Sequence, residues 1–199
     1  LGRGEGVLKG ASSLMNAAEV RSTCTIVDAD GLFLVAQDPE LVEGRTDCVL
    51  TPNRRELERL AARLDVSPEA DDVAAQVARK LGNVVVVAKG QRDVITDGTD
   101  VLVCDEPGAP KRCGGLGDVL CGALAPLAAQ AARADAADAA FVGKRPLLWA
   151  CYGACVASRR AAAAAFARKR RAMTAPDALA AIGGACESVA PTTVVEPPS

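Results

Sequence analysis

Apolar residues in this chain follow two rhythms. Thr25-Ile26-Val27, Cys48-Val49-Leu50 and Val84-Val85-Val86-Val87 are short β-branched runs without polar alternation. That pattern suits strands covered on both faces, and it predicts a parallel sheet of the α/β type. Residues 56–64 and 68–81 instead carry apolar side chains at helical spacing, with Arg and Glu on the opposite face. The expected layout is strand, helix, strand. Val94-Ile95-Thr96 and Val101-Leu102-Val103 flank Asp97-Gly98, which predicts an antiparallel hairpin on the sheet's late edge. After Asp118 the periodicity turns helical, over 119–132, 147–166 and 177–182. Thr174, with Asp177 three residues on, has the form of a helix start.

Two segments break these rhythms. The Ala/Asp stretch 131–144 reads as a surface insertion and the Pro/Thr/Val stretch 187–199 as a disordered tail. What lies between is enough for one core: 199 residues, 50% hydrophobic and 24% charged, predict a single domain over 1–186. The apolar stretch 147–157 is closed by Arg159-Arg160 and falls well short of the roughly 20 residues that span a bilayer, so it reads as a core helix. Arg168-Lys169-Arg170-Arg171 suits a solvated helix C-terminus. The opening LGRGEGVLKG has neither the apolar segment of a secretory signal nor the pattern of a transit peptide, and no Met starts it. A chain incomplete at its N-terminus is the expectation.

Charge narrows the partners. Twenty-three Lys and Arg against twenty-five Asp and Glu give a net charge of -2, so no overall positive field draws the protein to nucleic acid or to an anionic membrane. Histidine is absent, which removes Ser-His-Asp hydrolysis, histidine general-base catalysis and every metal site that needs imidazole. Eight cysteines are scattered without a C-x-x-C pair. They read as buried free thiols of a reducing compartment.

The strongest local signal is Arg112-Cys113-Gly114-Gly115-Leu116-Gly117-Asp118-Val119-Leu120, a glycine-rich loop that runs into a helix. Its glycines let the backbone approach a ligand, and the first N–H groups of the helix point at an anion. Two familiar phosphate loops do not fit. Gly117 and Gly122 have P-loop spacing, but Ala123-Leu124 stands where Lys and Ser or Thr are required. Gly115-x-Gly117-x-x-Leu120 lacks the third glycine of a dinucleotide fingerprint. What remains is an anion hole with Asp118 at the mouth of the helix. From local pattern alone, Asp118 as general base in phosphoryl transfer and Asp118 as a plain helix cap weigh equally.

Gly-Gly-x-Gly-Asp near the end of an α/β chain resembles the anion hole of the ribokinase-like kinases. The wider segment from Lys111 to Leu120 resembles the eukaryotic ATP-dependent NAD(P)H-hydrate dehydratases. Four more motifs follow that family's order: Val27-Asp28-Ala29-Asp30-Gly31-Leu32, Leu50-Thr51-Pro52-Asn53-x-x-Glu56, Lys89-Gly90-Gln91-Arg92-Asp93 and Tyr152-Gly153-Ala154-Cys155. The resemblance implies a three-layer α/β/α sandwich with a mostly parallel central sheet, lacking its N-terminal portion. It implies dehydration of the S epimer of hydrated NADH or NADPH at the expense of ATP, with Mg2+ as cofactor. It places Asp118 as the base. Substrate contacts fall to Gly2, Asn53, Arg54, Arg55, Glu56, Leu57, Glu58, Arg59 and Asp118. ATP contacts fall to Lys89, Gly90, Gln91, Arg92, Asp93, Pro110, Lys111, Arg112, Cys113, Gly114, Gly115, Leu116 and Gly117, with no metal site built from protein ligands alone.

The residues also admit plainer roles. Asn53 can cap the helix that starts near Arg54, Asp30-Gly31 can be a simple turn, and Lys89 can be an exposed strand-end lysine. The implied compartment is cytoplasmic or mitochondrial. An uncovered edge strand would suit a partner, a second copy included. The competing readings are a small-molecule kinase of the same fold and an inactive nucleotide-binding remnant.

Overall fold

A computed structural model describes residues 4–20, 23–133 and 145–189. Helix α1 (Glu5–Val20) precedes strand β1 (Thr25–Val27), α2 (Asp30–Gln37), β2 (Cys48–Leu50), α3 (Arg54–Arg63), α4 (Val73–Lys80) and β3 (Val85–Ala88). Strands β4 (Asp93–Thr96) and β5 (Val101–Cys104) follow, then α5 (Leu116–Ala131), α6 (Pro146–Lys169) and α7 (Ala175–Val189). The five strands lie in the order β1-β2-β3-β4-β5. β1, β2 and β3 are parallel, and β4 and β5 complete the sheet with antiparallel pairings. The sheet is therefore mixed: two of its four pairings are antiparallel, and one of these is the expected late-edge hairpin.

Alternation along the strands shows why their apolar runs are unbroken. Leu50 and Val86 face a core built with Leu32, Val35, Leu57, Leu60 and Val77 of α2, α3 and α4. Val49, Val85 and Val87 face the other way, onto Leu120, Leu124, Cys151 and Cys155 of α5 and α6. Helices cover both sides of the sheet's centre, so the residues of β2 are buried on one side or the other, whereas Val101 and Val103 of the edge strand β5 are exposed. α7 packs against α6 on the outside of that second layer.

Boundaries moved where local chemistry overrode periodicity. α4 starts at Val73 rather than at 68, because Ser67 to Asp72 is taken up by turns. The turn between β4 and β5 is wider than Asp97-Gly98: Thr96 pairs with Val101, and the Asp97 carboxylate accepts the N–H groups of Thr99 and Asp100, each at 2.9 Å. α7 runs to Val189, so residues 187–189 are helical rather than tail. Ser188 is held there by its own bond to the Ala185 carbonyl and by Arg160. Residues 190–199, and 134–144 of the expected insertion, lie outside the described residues. At Thr174 the capping is reversed: the Asp177 carboxylate accepts both the N–H and the hydroxyl of Thr174, each at 2.8 Å.

α1 and α2 were not anticipated. α2 begins directly at Asp30, after Ala29 at φ 51° and ψ -116°. That conformation is disfavoured for any residue with a Cβ and carries strain of about 1–3 kcal/mol. It turns the chain sharply between Asp28 and Asp30. Among the described residues, no helix is long and apolar enough to cross a membrane.

Candidate active site

Three parallel strands end at one corner. Asp28 follows β1, Thr51-Pro52-Asn53 follows β2 and Lys89 follows β3. Their exits are laced together, since Thr51 N–H donates to the Val27 carbonyl at 3.0 Å and Lys89 N–H to the Pro52 carbonyl at 2.8 Å. Side chains complete the knot. The Lys89 ammonium donates to Asp28 Oδ1 at 2.6 Å, and the Thr51 hydroxyl donates to the same oxygen at 2.9 Å. Both members of the ion pair are about four-fifths covered.

Onto this pair comes the mouth of α5. Gly115 is the N-cap at φ 90°, a left-handed conformation that glycine adopts without cost. Two residues on, a Cβ at Gly117 would stand 3.3 Å from Asp28 Oδ2 and 3.4 Å from Lys89 Nζ. Glycine is needed there for close approach rather than for backbone freedom. The free N–H groups of the helix thus open beside a fixed ammonium, and both features attract an anion.

Asp118 stands one residue further. Gly115, not Asp118, occupies the N-cap, and Asp118 lies in the first turn of the helix. Its carboxylate lies 3.8 Å from the Cβ position of Gly115, at the end of a largely apolar cavity of about 690 Å³ between α5 and α7. Cys121, a turn later, sits 3.6 Å from the Thr51 hydroxyl. Burial pushes its thiol pKa up, which keeps it a neutral thiol rather than a nucleophile.

A second cavity of about 200 Å³ gathers Lys89, Gly90, Asp93, Lys111, Arg112, Leu116 and Gly117. Most of the residues expected at ATP thus share one space. Some of these side chains, and several others of the expected set, are engaged elsewhere. The Lys111 ammonium donates to the carbonyls of Arg171 and Met173, each at 2.7 Å, so its charge serves to tie the glycine loop to the C-terminus of α6. Pro110 and Lys111 border a neighbouring cavity with Phe166 and Arg171, Cys113 and Leu116 pack against Met173, and Gln91 and Arg92 are exposed.

The expected substrate segment is more local. Asn53 and Glu56 form a complete capping box, with Asn53 Oδ1 accepting Glu56 N–H at 3.1 Å and the Glu56 carboxylate accepting Asn53 N–H at 2.7 Å. Leu57 points into the core. Arg54 pairs with Glu58 at 2.8 Å on the surface, Arg55 is exposed, and the Arg59 guanidinium lies 5.9 Å from the Phe33 ring centre. Gly2 lies outside the described residues.

Sequence reasoning left three residues of this corner unassigned: Asp28, Thr51 and Arg159. Asp28 and Thr51 entered only as members of two motifs of the resemblance, without a role of their own. Arg159 was read as the polar end of an apolar stretch, yet its helical neighbours Cys155 and Ala162 are buried. A charge on a buried helix face is the signal that could have found it.

The profile of the NAD(P)H-hydrate dehydratase family matches residues 1–183. The chain belongs to that family. The ATP-dependent (S)-NAD(P)H-hydrate dehydratase of Bos taurus is 41% identical over 189 residues, covering 93% of this chain and 57% of that protein. The Homo sapiens enzyme of the same name is 40% identical, with 93% and 54% covered. The chain thus spans little more than half the length of these relatives. In fold it is similar to a ribokinase-like superfamily protein from Enterococcus faecalis, at TM-score 0.68 and 18% identity, with 96% of this chain and 61% of that one covered. The hydroxyethylthiazole kinase of Pyrococcus horikoshii has TM-score 0.66 and 18% identity, with 94% and 68% covered. The ribokinase-like α/β fold follows.

Proposed function

We propose that this chain carries the catalytic centre of an ATP-dependent (S)-NAD(P)H-hydrate dehydratase, a lyase that restores NADH or NADPH from its hydrated form. One observation carries the reading: a free carboxylate, Asp118, stands at the mouth of a helix whose glycine loop closes on the Lys89–Asp28 pair, in a chain of this family. Asn53 to Arg59, with Gly2, make up the substrate side. Lys89 to Asp93 and Pro110 to Gly117 make up the ATP side. The eight free cysteines support a reducing compartment, cytoplasmic or mitochondrial.

The ring hydroxyl that water addition left attacks the γ-phosphorus of ATP, the bond to the bridging oxygen breaks, and ADP departs. Asp118 accepts the hydroxyl proton. The resulting phosphate ester is then eliminated as inorganic phosphate with loss of a ring proton, and the dihydropyridine returns. In such a transfer the protein acts by positioning and by stabilising charge. The N–H groups at Leu116 to Asp118 face the phosphoryl oxygens, and Lys89 neutralises them from the strand side.

Magnesium would enter with the nucleotide. Among the described residues no cluster of three or more Asp, Glu, Cys or His could hold a metal by itself. Mg2+ on ATP phosphates, however, needs only one or two carboxylates. Asp28, whose Oδ2 faces Gly117, fits that demand. The ion would offset charge on the phosphates.

Product analysis tests the assignment. Incubation with ATP and hydrated NADH should release inorganic phosphate in step with a species that absorbs like NADH. A stable phosphate ester would make the protein a small-molecule kinase instead.

A further inference from the structure

Arg159 projects from the middle of α6, an element that holds none of the ATP-site residues named above. Its side chain is only 15% exposed and lines the cavity shared by Lys89, Arg112 and Gly117. Nε donates to Asp93 Oδ2 at 2.6 Å. Nη1 donates to the carbonyls of Gln91 at 3.0 Å and Glu106 at 3.1 Å, and Nη2 to that of Gly90 at 3.1 Å. Four of the five N–H groups of the guanidinium are thereby committed to the protein. The other Asp93 oxygen accepts Gly90 N–H at 2.9 Å, which closes the 90–93 loop on itself. The bond to Asp93 also raises the pKa of Arg159, so the clamp stays charged.

We propose that Arg159 is the positioning residue that sets the shape of the ATP site. It pins the loop after β3 and the start of the segment leading to the glycine loop on one helix. The inference rests on the reading of this cavity as the ATP site. Since its donors are spent on three carbonyls and a carboxylate, Arg159 acts through the loops it holds and not as a phosphate ligand. A planar fork can address all four groups at once. A lysine ammonium in its place keeps the charge and loses that geometry.

The test is equilibrium titration of ATP into the parent chain, Arg159→Lys and Asp93→Asn, with thermal unfolding measured alongside and hydrogen exchange read at the Gly90 amide. Each variant should bind ATP about tenfold more weakly or worse. The Gly90 amide should exchange faster, and the double variant should be no worse than the poorer single one, because both remove the same clamp. Where turnover of Arg159→Lys is followed, the ATP KM should rise while kcat at saturating ATP and the KM for hydrated NADH stay within about threefold. ATP affinity in both variants equal to the parent's would overturn the inference while leaving the site assignment intact. A parent chain that binds no ATP would overturn both. A drop in melting temperature with unchanged ATP affinity in the folded variants would make Arg159 a structural residue only, and would overturn the inference.

Discussion

The two sides of the site are built in opposite ways. On the proposed phosphate side, Asp28, Thr51, Lys89 and Gly117 come from four separate elements and meet through contacts that span 23 or more residues of sequence. On the proposed substrate side, Asn53 to Arg59 is one turn and a half of helix, and its polar bonds close within three or four residues. The first arrangement exists only when the whole sheet is formed, and it fixes an ammonium and a row of N–H groups before any ligand arrives. The second is held by local capping, and its three arginines lie exposed on the helix surface. Such a division suits a phosphoryl-transfer site, where charge must be preorganised at the transferring group.

The contrast can be broken from either side. The largest effect is expected at Asp118: replacing it with Asn should lower turnover at least about 10²-fold while ATP affinity is kept, as initial rates beside a binding titration would reveal. Gly117→Ala comes next. Its new Cβ meets Asp28 and Lys89 at about the closest tolerated distance, and ATP binding should weaken about tenfold by titration. Wild-type affinity in that variant would mean that the corner gives way easily and is not preorganised.

Asn53→Ala reads the other side. Loss of the capping box should lower unfolding stability by about 1 kcal/mol in urea denaturation. A large rise in substrate KM with unchanged stability would instead show that the amide works on the ligand. Arg54→Ala is the smallest case, because the Arg54–Glu58 pair is exposed. Its loss should leave the urea midpoint unchanged in the same assay, which leaves any change in substrate affinity to contact with the ligand.

The same contrast explains what was legible in the sequence. Strands and capping are local: the valine run was expected at 84–87 and lies at Val85–Ala88, and a cap at Asn53 was one of the two roles open to it, to which the structure adds Glu56 as the other half of the box. The glycine loop could be read as an anion hole because helix entry follows from three glycines and an Asp in sequence. What joins that loop to the strands could not. Nothing in Asp28 announces Lys89 as its partner 61 residues on, and nothing in Arg159 announces the loop at Gly90. α2 was hidden because Asp30-Gly31 has the composition of a turn, and its helical course depends on the strained Ala29 before it. Lys111 was placed at ATP by resemblance, whereas its ammonium is bound to carbonyls that close α6.

The most direct test of the account is the return of NADH absorbance when this chain is mixed with hydrated NADH and Mg2+, with and without ATP. Recovery that requires ATP, matches it mole for mole in released phosphate and disappears in Asp118→Asn is the predicted result. ATP bound but no absorbance regained, or recovery that persists undiminished in Asp118→Asn, would contradict it.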